Sequence, residues 1–306
     1  LVRVRPDGGQ PERLQRIGQG AESGVGVADL DGDGELDFVV VGGDARVYVV
    51  TQSGRRWREF DYRLEYRVSG TPAIGDINDD GRPDIVVTGQ DFRIHAVGVD
   101  GAPLAGFPVK TGYRLYGGAA LGDLDADGVV EIVAGSGDSK LYALDGDGTA
   151  LSGFPRELNG RVIAAPIIAD FNRDGRQDIA AITQAGSVYV LTAAGKRFPG
   201  FPTRIGGKCE VAPAAGDLDA DGLPELVAHT PLGRVYSYTF ADADAAKRAL
   251  VAWGTAAHAA SNSGRYAPNE GRFKNLTFSN PEPKTTDPVQ AKYTFFDLDG
   301  DPEQDT

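Results

Sequence analysis

A nine-residue acidic pattern recurs along this chain at a constant interval of 47 residues. Its first, third, fifth and ninth positions carry oxygen-bearing side chains. They are Asp29, Asp31, Asp33 and Asp37, then Asp76, Asn78, Asp80 and Asp84. Asp123, Asp125, Asp127 and Glu131 follow, then Asp170, Asn172, Asp174 and Asp178, then Asp217, Asp219, Asp221 and Glu225. A sixth copy, Asp297, Asp299, Asp301 and Asp305, comes 80 residues later. Periods of roughly 20 to 50 residues mark repeat architectures, and one in the forties suits four short strands with turns, the blade of a propeller.

The sequence between the acidic patterns reads as strands and turns. Small, apolar runs precede each pattern, such as Ala73 to Gly75 and Ile167 to Ala169, and suit an innermost strand where blades crowd around an axis. Apolar runs follow, such as Phe38 to Val41 and Ile132 to Ala134. A Gly-containing turn then leads to a third strand through Tyr48, His95, Tyr142, Tyr189 or Tyr236, which share one repeat position. Phe60, Phe107, Phe154 and Phe201 share another, and rings repeated at one period are expected to pack between blades. The expected fold is all-β: a β-propeller of four-stranded antiparallel blades, six visible with seven an open alternative, each with one of the acidic loops.

Residues 1–240 are read as a part-blade followed by five repeats, and 241–291 as a loop-rich insertion. Within the insertion the Ala- and Lys/Arg-rich stretch 242–252 is expected to form a short helix. Residues 292–306 supply the first strand and acidic loop of a further blade. Because that blade lacks its second strand and the chain contains no Met, the natural polypeptide is expected to extend beyond both Leu1 and Thr306.

Oxygens alternating at positions one, three and five converge on one centre, and a carboxylate at position nine can chelate with both oxygens. The main-chain carbonyl at position seven (Glu35, Arg82, Val129, Arg176, Leu223, Glu303) adds another. With water, the set approaches the about six to eight oxygen ligands that Ca²⁺ takes, whereas Mg²⁺ demands a stricter octahedron. The loops hold no imidazole or thiolate for zinc. Gly at position six permits the tight turn in five copies; Pro302 replaces it in the sixth, so five calcium sites are expected and the sixth is in question. An EF-hand is excluded, because position twelve is Val40, Val87, Ala134 or Ala181 where that motif needs Glu. Half of the 44 acids occupy these first, third, fifth and ninth positions, and six divalent ions would bring the formal charge from −13 to −1.

The acidic balance argues against a nucleic-acid partner, and no apolar run is long enough for a transmembrane helix. Cys209 is the sole cysteine, which excludes an internal disulfide. Numerous calcium loops suit a compartment where calcium is plentiful: outside the cell or on its surface, with the periplasm as an alternative. The loops, the apolar run after each, and the Gly-Phe-Pro triplets ending in Pro108, Pro155 and Pro202 resemble the FG-GAP/VCBS repeats of integrin-α-like propellers. The segment Leu141 to Gly148 is similar to the secreted bacterial branch of that group, and Trp253, His258 and Ser263-Gly264 are weakly similar to a segment near the end of such propellers. The resemblance implies Ca²⁺ at the acidic positions but no single function. The chain contains no nucleophile elbow, phosphate-cradling loop or His-Glu-x-x-His. The functional expectation is therefore a non-enzymatic adhesion, assembly or scaffold module that binds a protein or glycan. The alternatives are a propeller polysaccharide lyase or hydrolase using Arg265, Tyr266, Arg272 and Lys274, or a lectin.

Overall fold

The computed structural model describes residues 17–57, 60–218, 222–231 and 233–240, together with the backbone of three short strands at 2–3, 12–13 and 251–253. Strands β1 (Val2–Arg3) and β2 (Glu12–Arg13) pair with each other. The first four-stranded antiparallel sheet is β3 (Ala21–Ala28), β4 (Asp37–Gly42), β5 (Arg46–Val50) and β6 (Tyr62–Arg63), hydrogen-bonded in chain order. The second comprises β7 (Ala73–Gly75), β8 (Asp84–Thr88), β9 (Arg93–Val97) and β10 (Val109–Lys110). The third comprises β11 (Ala120–Gly122), β12 (Glu131–Gly135), β13 (Lys140–Leu144) and β14 (Arg156–Glu157). The fourth contains β15 (Ile167–Ala169), β16 (Asp178–Ile182), β17 (Ser187–Leu191) and β18 (Thr203–Arg204), and the fifth β19 (Ala214–Gly216), β20 (Glu225–His229) and β21 (Val235–Tyr238). The chain is an all-β propeller, with no helix among the described residues.

The first strands of successive sheets touch in the order β3, β7, β11, β15, β19, which sets them around a common axis. Their small residues are required there. A Cβ on Gly70 would lie 2.5 Å from the Gly118 nitrogen, and one on Gly117 would lie 2.5 Å from the Ala165 nitrogen. Every residue of β8, β12 and β16 is buried, because each sheet is covered on both faces by its neighbours. That is why these strands read as continuous apolar runs rather than alternating ones. The buried clusters accordingly cross from blade to blade: Val47 and Phe60 share one with Val97, and Ile94 and Leu121 share another with Tyr189.

The repeated phenylalanines lie between blades. Phe60 is buried, and a Cβ on Gly101 of the next blade would come within 3.6 Å of its ring. Phe201 packs on Tyr238 and Phe240 of the following blade at centroid distances of 5.5 and 5.9 Å. Burying a ring of this size contributes about 2 to 3 kcal/mol. The peptide bonds from Phe107, Phe154 and Phe201 to their prolines are all cis.

The helix expected over 242–252 is corrected at its end. Val251–Trp253 is a strand, β22, paired antiparallel with β15 so that Ile168 faces Trp253 and Ala169 faces Val251. It lies against β11 and β19 as well, on the axial side of the blades. The inner edge of β15 offers unpaired backbone groups, and β-branched Val251 with aromatic Trp253 suits a strand better than the alanines before it suggest. Residues 241–250 and 254–306 lie outside the described residues, and with them the sixth acidic loop and the cluster Arg265, Tyr266, Arg272 and Lys274.

Candidate metal centres

Each acidic pattern is the loop from the first to the second strand of a blade, and its own backbone folds it. In the first loop, Asp29 accepts the N–H groups of Gly32 (2.7 Å) and Gly34 (2.9 Å), Asp31 accepts that of Asp33 (3.2 Å), and Asp33 that of Glu35 (2.7 Å). The third loop repeats this through Asp123, Asp125 and Asp127, which receive the N–H groups of Ala126, Gly128, Asp127 and Val129. The glycines at position six take φ of +86° (Gly34), +80° (Gly81), +96° (Gly128), +85° (Gly175) and +86° (Gly222), where an L side chain would be strained.

These turns draw the side chains together. Asp29, Asp31 and Asp33 each present a carboxylate oxygen within 4.8 Å of the other two, and so do Asp123, Asp125 and Asp127. Three carboxylates that close, all oxygen donors, are a donor set for a hard divalent cation. The second and fourth loops fold alike, with Asp76 and Asp170 in the anchoring role. Here an amide replaces the middle acid: Asn78 donates to Asp80 at 3.3 Å, and Asn172 to Asp174 at 3.2 Å. The amide thus relieves part of the repulsion that the all-acid loops retain. In the fifth loop Asp217 accepts the Gly222 N–H at 2.9 Å; Asp219 and Asp221 lie outside the described residues.

The ninth-position carboxylate is anchored separately, on the N–H of the loop's second residue. Asp37 accepts from Leu30 (3.1 Å), Asp84 from Ile77 (3.2 Å), Glu131 from Leu124 (2.6 Å), Asp178 from Phe171 (3.2 Å) and Glu225 from Leu218 (2.7 Å). All five residues are at most 3% exposed. Burial, reinforced by the neighbouring aspartates, pushes the carboxyl of Asp37 up to about 6, Asp84 to about 7, and Glu131 and Asp178 to about 8. A buried acid among like charges is the environment that a bound cation reverses.

Position four escaped the sequence reading. Gly32, Asp79, Ala126 and Arg173 all have positive φ there, three of them without glycine's freedom. Their spacing of 47 residues was the available signal. Arg173 is also buried, and its guanidinium reaches the next loop: a Cβ on Gly222 would lie 2.1 Å from it. Beside the second loop, a cavity of about 260 Å³ is lined by Asp80, Arg82, Asp84 and the hairpin residues Asp100 and Leu104.

The FG-GAP-like repeat pattern matches residues 29–87, 123–181 and 170–228, which together cover more than half of the chain. The chain belongs to the FG-GAP-like repeat family. No curated protein matches it. Among solved structures, the V. cholerae biofilm matrix protein Bap1 is 19% identical with a TM-score of 0.46, over 63% of this chain and 30% of Bap1. The chain thus spans less than a third of that protein. The WD40 β-propeller domain of Doa1 is 13% identical over 74% of this chain and 67% of its own, with a TM-score of 0.47. BamB from Moraxella catarrhalis is 14% identical over 73% and 66%, with a TM-score of 0.46. Within the FG-GAP-like repeats, the matched segments begin at Asp29, Asp123 and Asp170, the first residues of three acidic loops.

His95, which takes the tyrosine position of the second repeat, is a buried structural residue. Its Nε2 lies 3.0 Å from Asp91 and its Nδ1 2.8 Å from the Tyr62 hydroxyl of the preceding blade. Burial alone would raise the Asp91 carboxyl; the hydrogen bond and charge of His95 outweigh it and hold it below the usual range. Cys209 is buried, and burial raises its thiol.

Proposed function

We propose that this FG-GAP-like propeller is a calcium-stabilised, non-enzymatic binding module that works outside the cytoplasm and presents rigid loops to a protein or glycan. One observation carries the reading. The same backbone-tied cluster of oxygen donors recurs blade after blade, with a buried acid behind each cluster. The ligands assigned to Ca²⁺ are the side chains at positions one, three, five and nine and the carbonyls of Glu35, Arg82, Val129, Arg176 and Leu223. The sixth loop would follow the same scheme with Pro302 in place of glycine. Residues 241–291 are taken as an insertion between blades, and 292–306 as the start of a further blade. Ion binding would draw each loop onto the seam between first and second strands, so that calcium stiffens every blade from one end.

The experiment is a thermal melt of the protein after exhaustive chelation and after adding Ca²⁺ or Mg²⁺. Calcium should raise the melting temperature by roughly 10 °C or more, because several ions that bind the native state and not the unfolded chain each add to its stability. Magnesium should do less. Identical melts in chelator and calcium would refute the reading.

A further inference from the structure

Four cationic residues recur at one repeat position: Arg67, Arg114, Arg161 and Lys208. They lie in the connections from the last strand of one blade to the first strand of the next. The acidic loops follow the first strands, so in an antiparallel blade these connections emerge at the opposite end. The second-to-third-strand turns share that end and fix the cations' backbone. The N–H groups of Gln90, Gly137 and Gln184 bond the carbonyls of Arg67 (3.0 Å), Arg114 (2.9 Å) and Arg161 (2.7 Å).

The first two connections also carry exposed rings, Tyr66 (47% exposed) and Tyr113 (36%). The Arg114 guanidinium lies over Tyr66 with its carbon 5.2 Å from the ring centroid, and that of Arg161 lies 5.3 Å over Tyr113. Each arginine therefore lies on the ring of the preceding connection, and Tyr66, Arg114, Tyr113 and Arg161 form one interleaved row. Arg67 and Lys208 at its ends pair with Glu22 and Glu210. Glu65 is taken by Arg93, and Asp44, Asp91 and Asp138 are bonded to Tyr48, His95 and Tyr142. No carboxylate pairs with Arg114 or Arg161 among the described residues.

We infer that this row is a docking surface for an acidic polysaccharide, a chain of uronate-type sugars. A guanidinium matches a sugar carboxylate with two parallel hydrogen bonds, and the part of each tyrosine left exposed beside its arginine adds apolar contact for the sugar's C–H groups. The contact with a ring restricts each arginine before binding, so less rotamer freedom is lost on contact. Duplex nucleic acid fits poorly: it carries one charge per about 1.7 Å and calls for many cations at once, whereas two guanidiniums with no carboxylate partner among the described residues serve a chain carrying one carboxylate per sugar. The acidic loops, with three or more acids in each, lie at the far end of each blade and disfavour a polyanion there. The inference rests on the reading of the chain as a binding module and is independent of the calcium.

The test is calorimetric titration of the full chain, in fixed calcium, with short oligogalacturonides and with the same oligomers fully methyl-esterified. The charged oligomers should bind and the esterified ones should not. Arg114→Ala/Arg161→Ala should weaken binding about ten-fold or more while leaving the melting temperature unchanged; should that pair fail to fold, Arg114→Gln/Arg161→Gln gives the same reading with most of the packing kept. Absent binding, equal binding of the esterified oligomers, undiminished binding by the folded double variant, or tighter binding of a DNA duplex each overturns the surface. The calcium melt is read on the same samples. A retained melt shift without sugar binding removes this surface alone, and sugar binding without a melt shift removes the calcium reading alone.

Discussion

Glu131 is tied to the backbone of Leu124, its Oε2 accepting the Leu124 N–H at 2.6 Å while it faces the acids of its own loop. The bond holds the loop's last carboxylate in place before any ion arrives, and burial makes its charge costly until one does. Glu131→Gln separates these two effects, since the amide oxygen can still accept from Leu124. In chelator the variant should melt at or above the wild-type temperature, because a buried repulsive charge is gone. In calcium it should melt several degrees below, the loss of about 1 to 3 kcal/mol expected for a charged ligand, at roughly 2 to 4 °C per kcal/mol for a domain of this size. Paired melts with and without chelator check it, and a variant that falls equally below wild type in both would contradict it.

The chelated protein should lose stability as pH rises. Asp37, Asp84, Glu131 and Asp178 have folded values of about 6, 7, 8 and 8, against 3.8, 3.8, 4.5 and 3.8 for the ordinary carboxyls. An acid whose folded pKa is raised binds its proton more tightly in the native state. Its contribution is therefore complete below about pH 4 and disappears as pH climbs through 6 to 8. Each group still titrating contributes a slope on the order of 1 kcal/mol per pH unit. Melts in chelator at pH 5 and pH 8 should show the lower temperature at pH 8, and added calcium should flatten the difference. A chelated melt that is level or rises over this range would count against the assignment.

Position three of the acidic loop should grade the response to calcium. The first and third loops gather three carboxylates, whereas Asn78 and Asn172 donate to Asp80 and Asp174 and settle part of the charge internally. Asn78→Asp should therefore lower the chelated melting temperature and raise the calcium-bound one, since ligand charge tunes affinity. Calcium titrations followed by calorimetry would show tighter binding in one site; unchanged binding would contradict the proposed ligand role of that position.

The repeat, the strand order and the acidic loops were legible because each rests on residue identity at a fixed spacing. Ala73 to Gly75 and Ile167 to Ala169 are short, apolar and wholly buried, and Gly70 and Gly117 ahead of first strands meet neighbouring backbone; both pressures are visible in the sequence. What stayed hidden depends on conformation or on partners distant in the chain. Asp79, Ala126 and Arg173 adopt a left-handed backbone that their side chains do not announce. Val251–Trp253 overlaps the end of an alanine-rich stretch with helical preference, and its pairing with the edge of β15 makes it a strand. The arginine–tyrosine row was equally concealed, since Arg114 and Tyr66 are 48 residues apart.

The hairpin of the third blade closes over the acidic loop of the second, and Gly146 is the point of contact. A Cβ there would lie 1.7 Å from the Ile77 carbonyl oxygen and 2.8 Å from its carbon. Backbone cannot step aside as a side-chain end can, so Gly146→Ala should destabilise by about 3 kcal/mol or more, the range of serious overpacking. Gly216→Ala is the control, because nothing lies within 4 Å of its Cβ position. Denaturant unfolding of the two variants in calcium should separate them clearly. Equal midpoints would mean that the hairpin does not rest on the loop.

His95 offers the last test, because one repeat position solves the same burial problem in two ways. In the first and third blades a tyrosine hydroxyl donates to an acid four residues earlier: Tyr48 to Asp44 at 2.7 Å and Tyr142 to Asp138 at 2.6 Å. In the second blade His95 takes that role toward Asp91 and also bonds Tyr62 across the seam between blades. The Asp91 and His95 side chains are 3% and 4% exposed, so the carboxylate depends on its donor. His95→Phe leaves the buried carboxylate with only the Glu65 backbone N–H and the nearby charge of Arg93, and should cost about 2 to 3 kcal/mol. His95→Tyr rebuilds the arrangement of the sister blades and should stay within about 1 kcal/mol of wild type, losing only the bond to Tyr62. Urea unfolding of both variants decides it: the order should be wild type, then Tyr, then a much weaker Phe. If Phe were tolerated as well as Tyr, the carboxylate would have another source of stabilisation, and the slot would be a matter of ring packing alone.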